Sequence, residues 1–235
     1  TTLFRSHGNE NKLDKVFNYE GNLNDLKQVS DDIKKASIIG GQDFLFDNLD
    51  RIDLLGAEVE LIPTFIHLAK KYENNPAHMD VVYANPLKAE QLLQLSELLV
   101  GQEIDLLDNI DQIEVIGKLT EEFENDLKRM EVVFANPELS SDILELLPLL
   151  GKEYYDILLL NLEMFDSLSV LIRRAGTDTA SIQSLFSHLD FVDDLIEISN
   201  KYAQLKIDGG QRALFSNLDL FEADPGYFLL AQDDP

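Results

Sequence analysis

Histidines and paired carboxylates are the side chains here best suited to metal ligation or proton transfer, and spacing decides whether either chemistry is available. The histidines are His7, His67, His78 and His188. A metalloprotease helix needs two histidines four residues apart with a glutamate between them, and no pair has that spacing. His67 and His78 could share a face only if one helix ran through Pro76, which proline disfavours. His188 stands where similar segments carry asparagine, so a turn or capping role is expected of it. The acid pairs Asp31-Asp32, Glu121-Glu122 and Asp193-Asp194 are adjacent and point to different parts of a helix surface. General acid–base work needs carboxylates held in one pocket with separated pKa values, so these pairs read as a solvated face.

Other chemistries fail on composition or pattern. Without cysteine there is no thiolate nucleophile, disulfide or thiolate-bound metal. The stretches Asn18 to Asp25 (NYEGNLND) and Ile207 to Gly210 (IDGG) approach a calcium loop without completing its ligand pattern. Gly40-Gly41 lacks the lysine and serine of a phosphate-cradling loop, and there is no Gly-x-Ser-x-Gly elbow. Catalytic, cofactor-binding and metal-ligating residues are therefore assigned as none, and the chain is expected not to be an enzyme and to use no cofactor.

The elements that would position any site read as helix. Leu106, Ile110, Ile113, Ile116, Leu119, Phe123, Leu127 and Met130 recur at steps of three and four, one apolar stripe along helical structure. Successive steps of three drift around a helix, and Gly117 lies among them, so a break or tightening is expected there. In Asn85-Pro86 and Asn136-Pro137 the asparagine can cap orphan amides, with proline at the first helical position. Asn75-Pro76 offers the same signal. These pairs are expected to be helix–helix joints.

The joints belong to a repeat. MDVVYANP from Met79 returns as MEVVFANP from Met130, and GQDFLFDNLDRIDLLG from Gly41 returns as GQEIDLLDNIDQIEVIG from Gly101. The polar anchors are Asn48, Asn109, Asn161, His188 and Asn217, with Asn136 in the same series, spaced roughly 25 to 29 residues apart from Asn109 onward. Asn22 precedes Asn48 by a similar interval, and extra residues separate Asn48 from Asn85. The fold expected is all-α, an α-solenoid-like stack of short antiparallel helices whose units share a core. The expected organisation is a polar N-terminal arm and first helix over 1-40, a helical-repeat domain over 41-205, and a C-terminal tail over 206-235. In that tail Tyr227, Phe228, Leu229 and Leu230 are candidate docking residues. The helix-cap and joint residues proposed are Asn48, Asn85, Pro86, Asn109, Asn136, Pro137 and Asn161. The basic pairs Lys34-Lys35, Lys70-Lys71, Lys128-Arg129 and Arg173-Arg174 are expected to support helix C-termini or internal salt bridges.

Charge narrows the partners. The formal net charge is -25, from 44 acids against 19 bases, and it repels both phosphate backbones and anionic bilayers. No direct nucleic-acid or membrane contact is expected. The opening TTLFRSHGNENKL lacks the apolar core of a secretory signal, so a soluble protein made in the cytoplasm is the expectation.

The phrases Asn109-Ile-Asp-Gln-Ile113 and Asn48-Leu-Asp-Arg-Ile52 resemble the Asn-Ile-x-x-Ile units of tail-fibre and appendage proteins of marine-type phages. That resemblance implies a non-enzymatic structural or assembly protein, incorporated in a virion. The leading expectation is thus a structural or adaptor protein whose stacked helices bind protein partners, as a homo-oligomer or in a larger assembly. Two alternatives stay open: an acidic sequestering or inhibitory protein for a basic or nucleic-acid-binding partner, and a helical enzyme whose metal or carboxylate site is not visible in sequence.

Overall fold

The computed structural model describes Tyr19 and residues 22–218. Among them are fifteen α-helices and no strand, so the fold is all-α. The chain divides into two compact units, Thr1–Gly117 and Lys118–Pro235. Unit 1 holds α1 (Leu23–Lys35), α2 (Gly41–Asp47), α3 (Ile52–Ala57), α4 (Ile62–Lys71), α5 (Pro76–Ala84), α6 (Ala89–Leu98) and α7 (Glu103–Asp108). The division falls within α8 (Ile113–Glu122). Unit 2 continues with α9 (Leu127–Ala135), α10 (Ser140–Leu146), α11 (Tyr155–Leu160), α12 (Phe165–Ala175), α13 (Thr179–Ser187), α14 (Val192–Gln204) and α15 (Gly210–Phe215).

These helices are mostly too short to be stable in isolation, so burial of one face must hold them. In unit 1, Ile62, Phe65 and Leu68 step along α4 and are wholly buried, as are Leu45, Leu92 and Leu106 on α2, α6 and α7. In unit 2, Met130, Ile143, Leu158, Leu168, Leu185 and Leu195 play the same part on α9 to α14. Each such side chain contributes about 2 kcal/mol of transfer free energy relative to exposure.

Helix starts and stops follow two local rules. Asn22, Asn75, Asp126 and Asp178 are N-caps in extended conformation, with ψ of 113°, 117°, 106° and 99°. Their side-chain oxygens accept from Asn24, Ala77, Lys128 and Ser181 amides. Asn75-Pro76 therefore caps as its sequence suggests, whereas Asn22 is an N-cap and not a member of the joint series. Four of the longer helices, α1, α4, α8 and α14, end with the chain in left-handed conformation at Ser37, Glu73-Asn74, Glu124-Asn125 and Lys206. There an amide reaches back five residues: Ile38 to Ile33, Asn74 to Ala69, Asn125 to Thr120, Ile207 to Tyr202.

Gly117 does not break its helix. α8 runs through it from Ile113 to Glu122, and the break falls earlier, at Asn109 and the 3-10 turn Ile110–Gln112. The drift of the apolar stripe is absorbed by that tighter turn. What Gly117 supplies is space, because a Cβ there would lie 2.7 Å from Nε2 of Gln91, whose amide donates to the Ile113 carbonyl.

Candidate functional site

The joint residues share one geometry, and it differs from a helix N-cap. Asn48, Asn85, Asn109, Asn136 and Asn161 each end one α-helix and precede a 3-10 turn. Their φ lies between -109° and -137° and ψ between 25° and 58°, short of the extended values of the N-caps. In that conformation the side-chain oxygen does not reach the following amides. Instead Nδ2 donates backwards to the carbonyl four residues earlier: Phe44, Val81, Asp105, Val132 and Ile157, at 2.7–2.9 Å. Asn217 does the same to Ala213. The expected capping of the following helix is thus reversed in direction, and these residues close the preceding helix. Pro86 and Pro137 open the 3-10 turns Pro86–Lys88 and Pro137–Leu139, where no proline donor is needed.

His188 takes the same slot with Nδ1 2.8 Å from the Ser184 carbonyl. A carbonyl can only accept, so Nδ1 carries a proton. Glu58 is a joint that the asparagine pattern missed. Its φ of -122° and ψ of 45° match the series, and it precedes the 3-10 turn Val59–Leu61. The extra residues between Asn48 and Asn85 are therefore α3 and one more joint. A signal was available in the spacing, since Glu58 precedes Asn85 by the interval that separates Asn109 from Asn136.

A second recurring device also escaped the sequence. Ser30 Oγ donates to Gln42 Oε1 at 2.9 Å, and Gln42 Nε2 returns to the Ser30 carbonyl at 2.9 Å. In unit 2, Ser199 and Gln211 repeat both bonds at 2.6 and 2.7 Å. Gly-Gly-Gln, at Gly40 to Gln42 and at Gly209 to Gln211, was the visible trace.

Two clefts flank the left-handed turn at Glu73-Asn74 in unit 1, and both are lined by Asn74 and Pro76. In the first, the Tyr83 hydroxyl donates to Asn48 Oδ1 at 2.9 Å, and the Arg51 guanidinium lies 5.6 Å from the Tyr83 ring centre. Arg51 pairs with Asp50 and Asp80. Burial pushes the Tyr83 phenol up to about 12. The second cleft, about 680 Å³, is lined by Lys71, Tyr72, Glu73, His78, Glu103 and Ile104 among others. Tyr72 donates to the Glu103 carbonyl at 3.1 Å, and its ring meets His78 edge-on at 5.7 Å. Burial also raises the Tyr72 phenol. Burial works to raise the Glu103 carboxyl, but the Glu103 and Gly101 amides and the Lys71 ammonium outweigh it and hold it below the usual range. His78 Nδ1 is buried with no hydrogen-bond partner among the described residues.

The corresponding turn of unit 2, Glu124-Asn125, has a different filling. Arg129 Nε donates to Asp156 at 2.7 Å, and its guanidinium lies 5.8 Å from the Phe123 ring centre and 5.7 Å from that of Tyr155. The Arg129 bond holds the Asp156 carboxyl below its usual range. Among the basic pairs, Lys34-Lys35, Lys70-Lys71 and Arg173-Arg174 do sit in last turns of helices. Lys128-Arg129 opens α9, and Arg129 serves the salt bridge instead.

His67 and His78 lie on separate helices, α4 and α5. Among the described residues no three His, Cys, Asp or Glu side chains gather as a metal site would require. No helix among them is long and apolar enough to cross a membrane. The docking candidates Tyr227, Phe228, Leu229 and Leu230 lie outside the described residues. No family model, curated protein or solved structure matches the chain.

Proposed function

We propose that this chain is a non-enzymatic structural or adaptor protein that binds other proteins through the turns between its helices. The observation that carries the reading is where apolar side chains meet solvent. In unit 1, Ile39 is 94% exposed, and Leu98, Val100 and Ile104 stand exposed around Gly101. In unit 2, Leu205 and Ile207 flank the left-handed Lys206. All of these lie at or beside turns that join a longer helix to the next shorter one. Apolar groups set at such turns, in a chain of charge -25, give a partner small dry anchors inside a polar rim. The tail-fibre resemblance favours a virion as the setting of that assembly.

Light scattering over a range of concentrations tests the reading, together with Ile39→Asp, Val100→Asp and Leu205→Asp. The expected result is a defined oligomer, or a stable complex with a protein co-purified from the source, lost in the variants while helical circular dichroism is unchanged. A monomer without partner that binds a metal stoichiometrically would sink it.

A further inference from the structure

We propose that the unit 1 cleft beside Glu73-Asn74 takes an arginine side chain from a basic segment of a partner protein; this rests on the protein-binding reading above. Unit 2 shows which group fits such a turn. Aligned on Glu73-Asn74 and Glu124-Asn125, His78 corresponds to Arg129 and Tyr72 to Phe123. Aligned on the starts of α7 and α11, Ile104 corresponds to Asp156 and Glu103 to Tyr155. The guanidinium that unit 2 supplies from its own chain, between two rings and a carboxylate, is absent from the unit 1 copy. There the cleft remains, lined by Tyr72, Glu73, His78, Glu103 and Ile104.

Charge selects the occupant. The acids lining the cleft are Glu73 and Glu103, in a chain of net charge -25. Among the described residues that line it, Lys71, at 3.5 Å from Glu103, is the one lysine or arginine, against the carboxylates of Glu73 and Glu103. A planar guanidinium suits a position between an aromatic ring and a carboxylate, where it can stack and donate at once. The exposed Ile104 and Val100 then offer apolar contact to the residues beside that arginine.

The chain has no tryptophan, so the emission of a tryptophan-labelled peptide reports binding without background. The probe is a short peptide carrying leucine, arginine and one tryptophan, against the same peptide with neutral citrulline for arginine. The arginine peptide should bind one to one and at least about tenfold more tightly than the citrulline peptide, with affinity falling as salt rises. The double variant His78→Arg with Ile104→Asp, which rebuilds the unit 2 arrangement inside unit 1, should abolish binding and melt no lower than the parent. Leu160→Ser, an exposed apolar site in unit 2, should bind unchanged. Equal affinity for the two peptides, or binding that survives in a folded double variant, overturns the assignment of this cleft. Either result leaves the assembly reading to stand or fall on light scattering.

Discussion

Residues 73–86, ENNPAHMDVVYANP, and residues 124–137, ENDLKRMEVVFANP, build the same backbone twice, once in each unit. Both start with two consecutive left-handed residues, pass an N-cap at Asn75 or Asp126, and close a helix on a joint asparagine. Their buried methionines and valines are also shared: Met79 and Val82, Met130 and Val133. What differs is the polar filling. Unit 2 turns Arg129 inward onto Phe123, Tyr155 and Asp156, while unit 1 has His78 against Tyr72 and a cleft reaching Ile104. A repeated backbone thus fixes where side chains can meet, and two or three substitutions decide whether that meeting is closed from within or left for something else.

The sharpest way to break this contrast is at the rings. Phe123→Ala should cost about 3–5 kcal/mol in urea unfolding, since the ring is wholly buried and also faces Arg129. Tyr72→Phe, which removes one hydroxyl bond from the unit 1 counterpart, should cost about 1 kcal/mol. Next, Arg129→Ala should cost about 2 kcal/mol through its lost ring contacts and bond to Asp156, and His78→Ala less than about 1. Equal losses for those two would erase the distinction between a filled and an unfilled turn. Asn85→Ala and Asn136→Ala should each cost about 1 kcal/mol, and alike, because both lose the same back-bond. Asn48→Ala should cost more, since its oxygen also accepts from Tyr83.

The smallest effect is on pH dependence. Asp156 has a lowered folded pKa, so its contribution is present above the unfolded value of about 4 and fades as pH falls through the folded one. The stability gap between the parent and Asp156→Asn should therefore be constant near neutrality and close in acid. At the alkaline end, absorbance titration should show a phenol near 12 that Tyr83→Phe removes, with no counterpart from Phe134 in the second copy.

The all-α class and the places where helices meet were legible because leucine spacing, proline and asparagine act locally. Asn75-Pro76 is the clearest instance: residue type, neighbour and role agree. The direction of the bond at Asn85 and Asn136 was not legible, because it depends on ψ at that residue, and the same Asn-Pro pair is compatible with either. Glu58 went unseen since its backbone adopts the joint conformation without the asparagine that marks the others. The clefts were least legible. His78 and Ile104, or Arg129 and Asp156, are brought together by tertiary packing across 26 or 27 positions, and nothing in either local stretch announces its partner.

The back-bonded asparagine has a consequence for how the molecule ages. Asparagine is lost in stored proteins when the next backbone nitrogen attacks the side-chain carbonyl and ammonia leaves. At Asn85 and Asn136 that nitrogen belongs to proline and carries no hydrogen to lose; at Asn48, Asn109 and Asn161 it belongs to a bulky leucine or isoleucine. The leaving amide is at the same time held by a carbonyl of its own helix. At these five joints asparagine is placed where that reaction is slow.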